Sequence, residues 1–151
     1  IALGALKFFF LRVDPKKRMI FNPEESIDFH GFTGPFIQYT HARIKSILRN
    51  ESIDENFEIQ NDLLPQEKTL LVELEQFSNT VQQAADEHNP SLLAIYIFNI
   101  AKTFNGFYAA LSVKNAESED KKQLRLRICK LTADTIAAGM NLLGIAVPER
   151  M

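Results

Sequence analysis

Asn89-Pro90 and the run behind it restrict the fold most sharply. A capping side chain precedes a proline whose missing N–H is one of those a helix start leaves unpaired. Leu93, Ile97, Ile100, Phe104, Phe107 and Leu111 then recur at helical spacing as far as about Val113. Tyr96, Phe98 and Tyr108 spread the apolar face so widely that burial on two sides is expected. Such a helix needs others around it. Gly106 stands inside it at a cost of about 1 kcal/mol against alanine, which suggests close approach of another backbone or of a ligand.

The remaining chain supplies those helices. Gly31 to Gly34 make a turn, and Pro35 opens a helix with Ile37, Ile44, Ile47 and Leu48 along one edge. Gln38, His41, Lys45 and Arg49 follow a second line, with Tyr39 and Arg43 one turn apart between the two. Periodicity alone leaves open whether that line is a solvated face or a surface for a ligand. Pro65 to Phe77 carries Leu70, Leu71, Leu74 and Phe77, and Ser78 reads as the N-cap of a helix turning Val81, Ala84 and Ala85 inward. A last helix begins near Ser118, with Glu119 and Asp120 at the positive end of its dipole. Its apolar lines are Leu124, Ile128, Leu131 and Leu142, and Leu126, Cys129, Ala133, Ile136, Met140 and Leu143. Arg127, Lys130, Asp134 and Asn141 mark its wet side, Gly144 its C-cap, and residues 146–151 a tail returning across the bundle.

Ahead of these lie an apolar helix over Ala2 to Arg12 and two short alternating stretches, 19–22 and 26–29, that read as a hairpin around Pro23-Glu24-Glu25. Residues 50–64, with Asn61-Asp62 near their end, are acidic and broken in pattern, as an exposed mobile loop would be; 114–120 form a polar connector. The expected fold is all-α: an antiparallel helical bundle with a short N-terminal helix and a β-hairpin appendage.

Charge is distributed unevenly. Lys and Arg against Asp and Glu number eight to four over residues 1–50, one to ten over 51–91, and eight to five over 92–151. Cationic segments flanking an acidic middle suit a polyanion that meets one face, so a net charge of -2 does not argue against RNA. Cys129, the single cysteine, reads as a buried thiol in a reducing compartment. The apolar start, Ile1 to Leu11, is about half a membrane span and lacks signal-peptide features; because the chain opens on Ile inside a helical run, it reads as a fragment of a longer protein. His30, His41 and His88 are scattered, which predicts no metal site. Gly31-Phe32-Thr33-Gly34 lacks the lysine of a phosphate loop, and no catalytic constellation is legible.

Gly34-Pro35-Phe36-Ile37-Gln38-Tyr39-Thr40-His41-Ala42-Arg43-Ile44 closely resembles the segment of arginyl-tRNA synthetases where the catalytic core hands over to the helical anticodon-binding domain. Leu142-Leu143-Gly144-Ile145-Ala146-Val147-Pro148-Glu149-Arg150-Met151 is similar to that family's C-terminus. Pro90-Ser91-Leu92 and Phe104-Asn105-Gly106-Phe107-Tyr108 fall between them in the family's order, although Ser78 stands where proline is often found. The resemblance covers essentially the whole chain. It implies a class I synthetase anticodon-binding domain of the DALR type at 35–151, preceded at 1–34 by a linker and stem-contact segment from the end of the catalytic core.

The parent it implies is a cytoplasmic enzyme joining arginine to tRNA with ATP and magnesium. The His-Ile-Gly-His and Lys-Met-Ser-Lys-Ser type motifs of class I catalysis are absent, so the chain is expected to be inactive alone and to hold no cofactor. Implied partners are the arginine-accepting tRNA and the catalytic domain of the same parent; no membrane is involved, and the apolar first helix allows self-association. Tyr39 with Arg43, Asn105 with Tyr108, and Arg150 with Met151 are the candidate tRNA-binding residues. Unpaired bases are read by splaying them onto aromatic or guanidinium planes. Taken alone, each tyrosine could equally be a core ring, and Met151 a frayed end. In the family, the matching helix-start tyrosine, Phe-Tyr region and C-terminal methionine lie near the anticodon loop. Lys16-Lys17-Arg18 is either a solvated loop or a phosphate contact. Two rival functions stay open: a helical protein–protein interaction module docking through the Phe-rich start, and the corresponding domain of a sister class I synthetase.

Overall fold

Three helix starts among the described residues combine a capping side chain with a proline in the first turn: Asn22 with Pro23, Thr33 with Pro35 and Asn89 with Pro90. The computed structural model describes residues 1–60 and 62–151, and Asn61, read above as part of the acidic loop, lies outside them. In chain order the helices are α1 (Ala2–Leu11), α2 (Pro23–Ser26), α3 (Gly34–Arg49), α4 (Pro65–Glu75), α5 (Phe77–Asp86), α6 (Pro90–Ala110) and α7 (Glu119–Leu142). Thr33 caps α3 by accepting the Phe36 N–H, Asn89 caps α6 through Ser91 N–H, and Ser118 caps α7 through Lys121 N–H. Gly144, at φ +70°, ends α7. Its N–H donates to Asn141 O and that of Ile145 to Met140 O, the paired bonds of a Schellman motif.

α6 lies at the centre, packed by α1, α3, α4, α5 and α7. Leu93, Ile97, Ile100, Phe104 and Phe107 on it are buried together with Ile37 and Ile44 of α3, Leu70 and Leu74 of α4, and Leu126, Cys129 and Ile136 of α7. The two-sided burial expected of this helix is found. Phe8 of α1 reaches the same core, and α1 crosses α3 closely: a Cβ at Gly34 would stand 2.7 Å from the Gly4 carbonyl oxygen, nearer than any side chain tolerates. Burial pushes the Cys129 thiol up to about 12, so it is an inert part of the core.

Several expectations need correction. The hairpin is absent: no residue among those described is in a strand, and α2 occupies the proposed turn. Asn22 Oδ1 accepts the Glu24 and Glu25 N–H groups at 3.1 and 3.3 Å, and Pro23 takes the first helical position. Asn-Pro-Glu-Glu is the same start signal that opens α6, and it prevails over the alternation around it. Phe21 instead stacks on Phe10 at 5.6 Å and meets Phe9 edge-on, while Arg12 ties α1 to the segment through Glu25 and Phe32 O.

The segment after α3 is strapped rather than loose. The Gln123 side chain bonds Asp54 N and Ser52 O, Arg127 reaches Asp54 O and Phe57 O, Glu51 pairs with Lys122, and Asp120 accepts Gln60 N–H. α5 begins at Phe77, with Gln76 in the cap position, so Ser78 lies inside the helix and Ala85 faces solvent. The central helix ends at Ala110 rather than Val113, and Leu131 and Leu142 of α7 are exposed. Apart from its own helix, no described residue has an atom within 4 Å of where a Cβ would stand at Gly106, so no neighbouring element explains it.

One feature had no sequence signal. Glu67, fully buried on α4, accepts from Lys121 Nζ at 2.8 Å and Arg125 Nε at 2.9 Å on α7, and from Leu64 N–H at 2.8 Å. Arg125 continues to Ser112 O and Glu117. Burial works to raise the Glu67 carboxyl, but Lys121, the Leu64 N–H and Arg125 together outweigh it and hold it below its ordinary value.

Candidate nucleic-acid interface

Arg43 organises the exposed surface shared by α3 and α6. Its guanidinium lies 5.1 Å from the Tyr39 ring centroid and 5.8 Å from that of Tyr108, and Nη2 donates to Tyr39 Oη at 3.4 Å. Tyr39 comes one helical turn before Arg43; Tyr108 comes from another helix and stacks on Phe104 at 6.0 Å with the planes 14° apart. Both rings are on the surface, 43% and 37% exposed, so neither is a core ring. Two aromatic faces flanking a cation is the arrangement on which unpaired bases stack.

Three depressions meet at Arg43. One, of about 580 Å³, is walled by Phe29, Phe36, Tyr39, Asn105 and Met151. Asn105 donates Nδ2 to Thr40 Oγ1 at 3.1 Å, while its buried Oδ1 has no partner among the described residues. That oxygen can accept a hydrogen bond from a ligand. A second depression, of about 560 Å³, lies between Arg43, Ser46, Asn50, Tyr108 and Lys114. The third, of about 380 Å³, is bordered by Tyr39, Arg49, Arg150 and Met151. Tyr39, Arg43, Asn105, Tyr108, Arg150 and Met151, expected as site residues from separated stretches, therefore border one continuous surface.

The chain's end reaches this surface by lying along α3. Gln38 Nε2 donates to Ala146 O at 2.7 Å, His41 Nδ1 meets Pro148 O at 2.9 Å, and Arg49 donates to Glu149 O at 2.9 Å. Lys45 Nζ lies 3.2 Å from the Glu149 carboxylate. The line of Gln38, His41, Lys45 and Arg49 is thus a seat for the tail, with Gln38 and His41 buried beneath it. Burial lowers the His41 pKa below its ordinary 6.5 and Lys45 adds to this, against the opposing pull of the Pro148 carbonyl; the ring is neutral, with Nδ1–H as the donor.

Phe29, His30, Phe36 and Lys114 also border the depressions and had not been singled out. Phe29 meets Tyr39 edge-on at 6.4 Å, a contact hidden because its segment read as a strand. Lys16, Lys17 and Arg18 are exposed and border none of the three depressions. Among the described residues no His, Cys, Asp and Glu cluster suits a metal, and no helix is long and apolar enough to cross a membrane.

Comparison with known proteins bears on the family and the fold. The chain is 52% identical over 151 residues to the arginine–tRNA ligase of Flavobacterium psychrophilum, covering all of this chain and 25% of that protein. It is 44% identical over 156 residues to the arginine–tRNA ligase of Bacteroides fragilis, covering 26% of it. The chain spans about a quarter of the length of these relatives. The solved Thermus thermophilus arginyl-tRNA synthetase superimposes with a TM-score of 0.93 at 36% identity, over 99% of this chain and 26% of that one. The family model described as the DALR anticodon binding domain matches residues 37–151. The chain belongs to the DALR anticodon binding domain family.

Proposed function

We propose that this chain is the tRNA-recognising part of an arginine–tRNA ligase and grips an anticodon loop on the surface around Arg43. The observation that carries the reading is the placement of that guanidinium between the exposed rings of Tyr39 and Tyr108, with Asn105, Arg150 and Met151 on the same surface. Splayed bases would stack on the two rings and on Arg43, and the unpartnered Asn105 oxygen would accept from a base amine. Arg150 and Lys114 lie where they could pair with phosphates.

Residues 35–151 would form the recognition domain, and 1–34 the segment coming from the catalytic core. The outward row Leu3, Leu6 and Phe10 of α1 is then the surface that meets the catalytic domain, and the one through which the isolated chain would self-associate. The parent would work in the cytoplasm, joining arginine to its tRNA with ATP and magnesium. The residues here do not fit those groups, having neither a phosphate loop nor a metal-ligating cluster among those described, so both would be held elsewhere in the parent.

A filter-binding titration with arginine tRNA and a non-cognate tRNA tests the reading. Tighter binding of arginine tRNA, weakening steeply as salt rises, is expected. Tighter binding of the non-cognate tRNA would point to a sister synthetase, and equal affinity for both would overturn the specific reading. A chain that captures protein but no RNA, with little response to salt, would be an interaction module.

A further inference from the structure

Among the described residues the tail's hydrogen bonds and ion pairs use none of its own side chains except Glu149, while Val147 packs against the core. Gln38, His41 and Arg49 each reach a backbone carbonyl of residues 146–149, and the three stand on one side of α3 at helical spacing. From Gln38 to Arg49 a helix rises about 16 Å, enough to run beside the four residues 146–149 even when fully extended. Two anchors bracket the strip. Upstream, Ile145 is buried and Lys7 donates to Gly144 O at 2.6 Å; downstream, Lys45 pairs with Glu149. Beyond the last bond come Arg150 and Met151, which border the depressions beside Tyr39 and Arg43. Gln38 and His41 are 2% and 4% exposed, so neither can touch RNA while the tail is seated. With the tail displaced, a buried amide and a buried imidazole would lose their partners, which favours the seated state before any ligand arrives.

Resting on the anticodon reading, we propose that Gln38, His41 and Arg49 are positioning residues: they latch the tail along α3 and so hold Arg150 and Met151 against the RNA-binding surface. The latch reads backbone, and the two residues after it meet the ligand.

Methionine-methyl NMR and RNA binding on the same 151-residue chain test this. Its three methionines are Met19, Met140 and Met151, and the buried Met140 signal reports the fold. In the Gln38→Ala/His41→Ala variant, the Met151 methyl should move to the position of free methionine. Affinity for an anticodon stem-loop bearing an arginine anticodon should fall about five- to tenfold, to that of a chain ending at Glu149. Combining truncation with the double substitution should cost nothing further, because both remove one contact. His41→Gln, whose amide can still donate to Pro148 O, should restore both signals. If Met140 moves too, the surface change Arg49→Ala carries the same test without disturbing the core. A free Met151 with unchanged affinity overturns the proposal, as does a Met151 that stays seated in the double variant. If the unaltered chain binds no stem-loop, the anticodon reading falls and the positioning role with it, while the Met151 shift still decides whether the latch exists.

Discussion

Tyr108 owes its part in the surface to tertiary structure. Its ring lies 5.8 Å from the Arg43 guanidinium, although the two are far apart in sequence. Tyr108→Ala should weaken anticodon stem-loop binding about tenfold, since a stacked base contributes about 1–3 kcal/mol. Its circular dichroism should match that of the parent chain, because the ring is exposed on one side. Unchanged binding by a folded variant would remove Tyr108 from the site. His88 raises a different question. It stands at φ 51° after α5, with its N–H donating to Ala85 O and that of Asn89 to Ala84 O, a Schellman ending with a branched side chain where glycine is at ease. His88→Gly should raise stability by roughly 0.5–1 kcal/mol, read as a higher urea midpoint. A lower midpoint would mean that the imidazole makes a contact outweighing the backbone cost. The pairing of Tyr39 with Arg43 could be read from their four-residue spacing, but no local signal announces that Tyr108 or Met151 joins them.

Among the elements, α4 and α7 are joined through Glu67. Its carboxylate sits between Lys121 and Arg125 with no exposure to solvent. Removing one partner from a buried ionic group leaves charge without compensation, so Glu67→Ala should cost about 3–5 kcal/mol in urea denaturation. Glu117→Gln, at the solvent-exposed end of the network, should scarcely shift the midpoint. A small loss for Glu67→Ala would show that water replaces the carboxylate. This network was invisible in the sequence because hydrophobic periodicity says nothing about where charges are buried. The central helix was legible, since its apolar face was too wide for one neighbour and its Asn-Pro start was unambiguous. The same two residues at Asn22-Pro23 sit inside an alternating stretch that masks the helix start, and apolar residues such as Ile20, 91% exposed, carry no strand signal once no partner strand exists. The segment after α3 read as loose because its bonds come from Gln123 and Arg127, on a helix remote in sequence.

The whole molecule should carry its buried histidine, His41, and its buried carboxylate, Glu67, into a two-step response to acid. His41 has a folded pKa below 6.5, so the unfolded chain binds the proton first and stability declines as pH falls beneath about 6.5. Glu67 has a folded pKa below 4.5; its contribution is full above that value and is lost as pH falls further. Urea midpoints should be level from pH 7.5 to 6.5 and then fall in two stages, with His41→Gln removing the first. A single decline starting below pH 5 would contradict the neutral, buried imidazole. The account depends most on convergence: rings and cations from α3, α6 and the tail forming one surface that holds an RNA loop. Ultraviolet crosslinking of the chain to an arginine anticodon stem-loop, with the attached residues mapped by mass spectrometry, tests it directly. Crosslinks at Tyr39, Tyr108 and Met151 in one complex are predicted; crosslinks confined to Lys16, Lys17 and Arg18, or to the outer faces of α4 and α5, would contradict it.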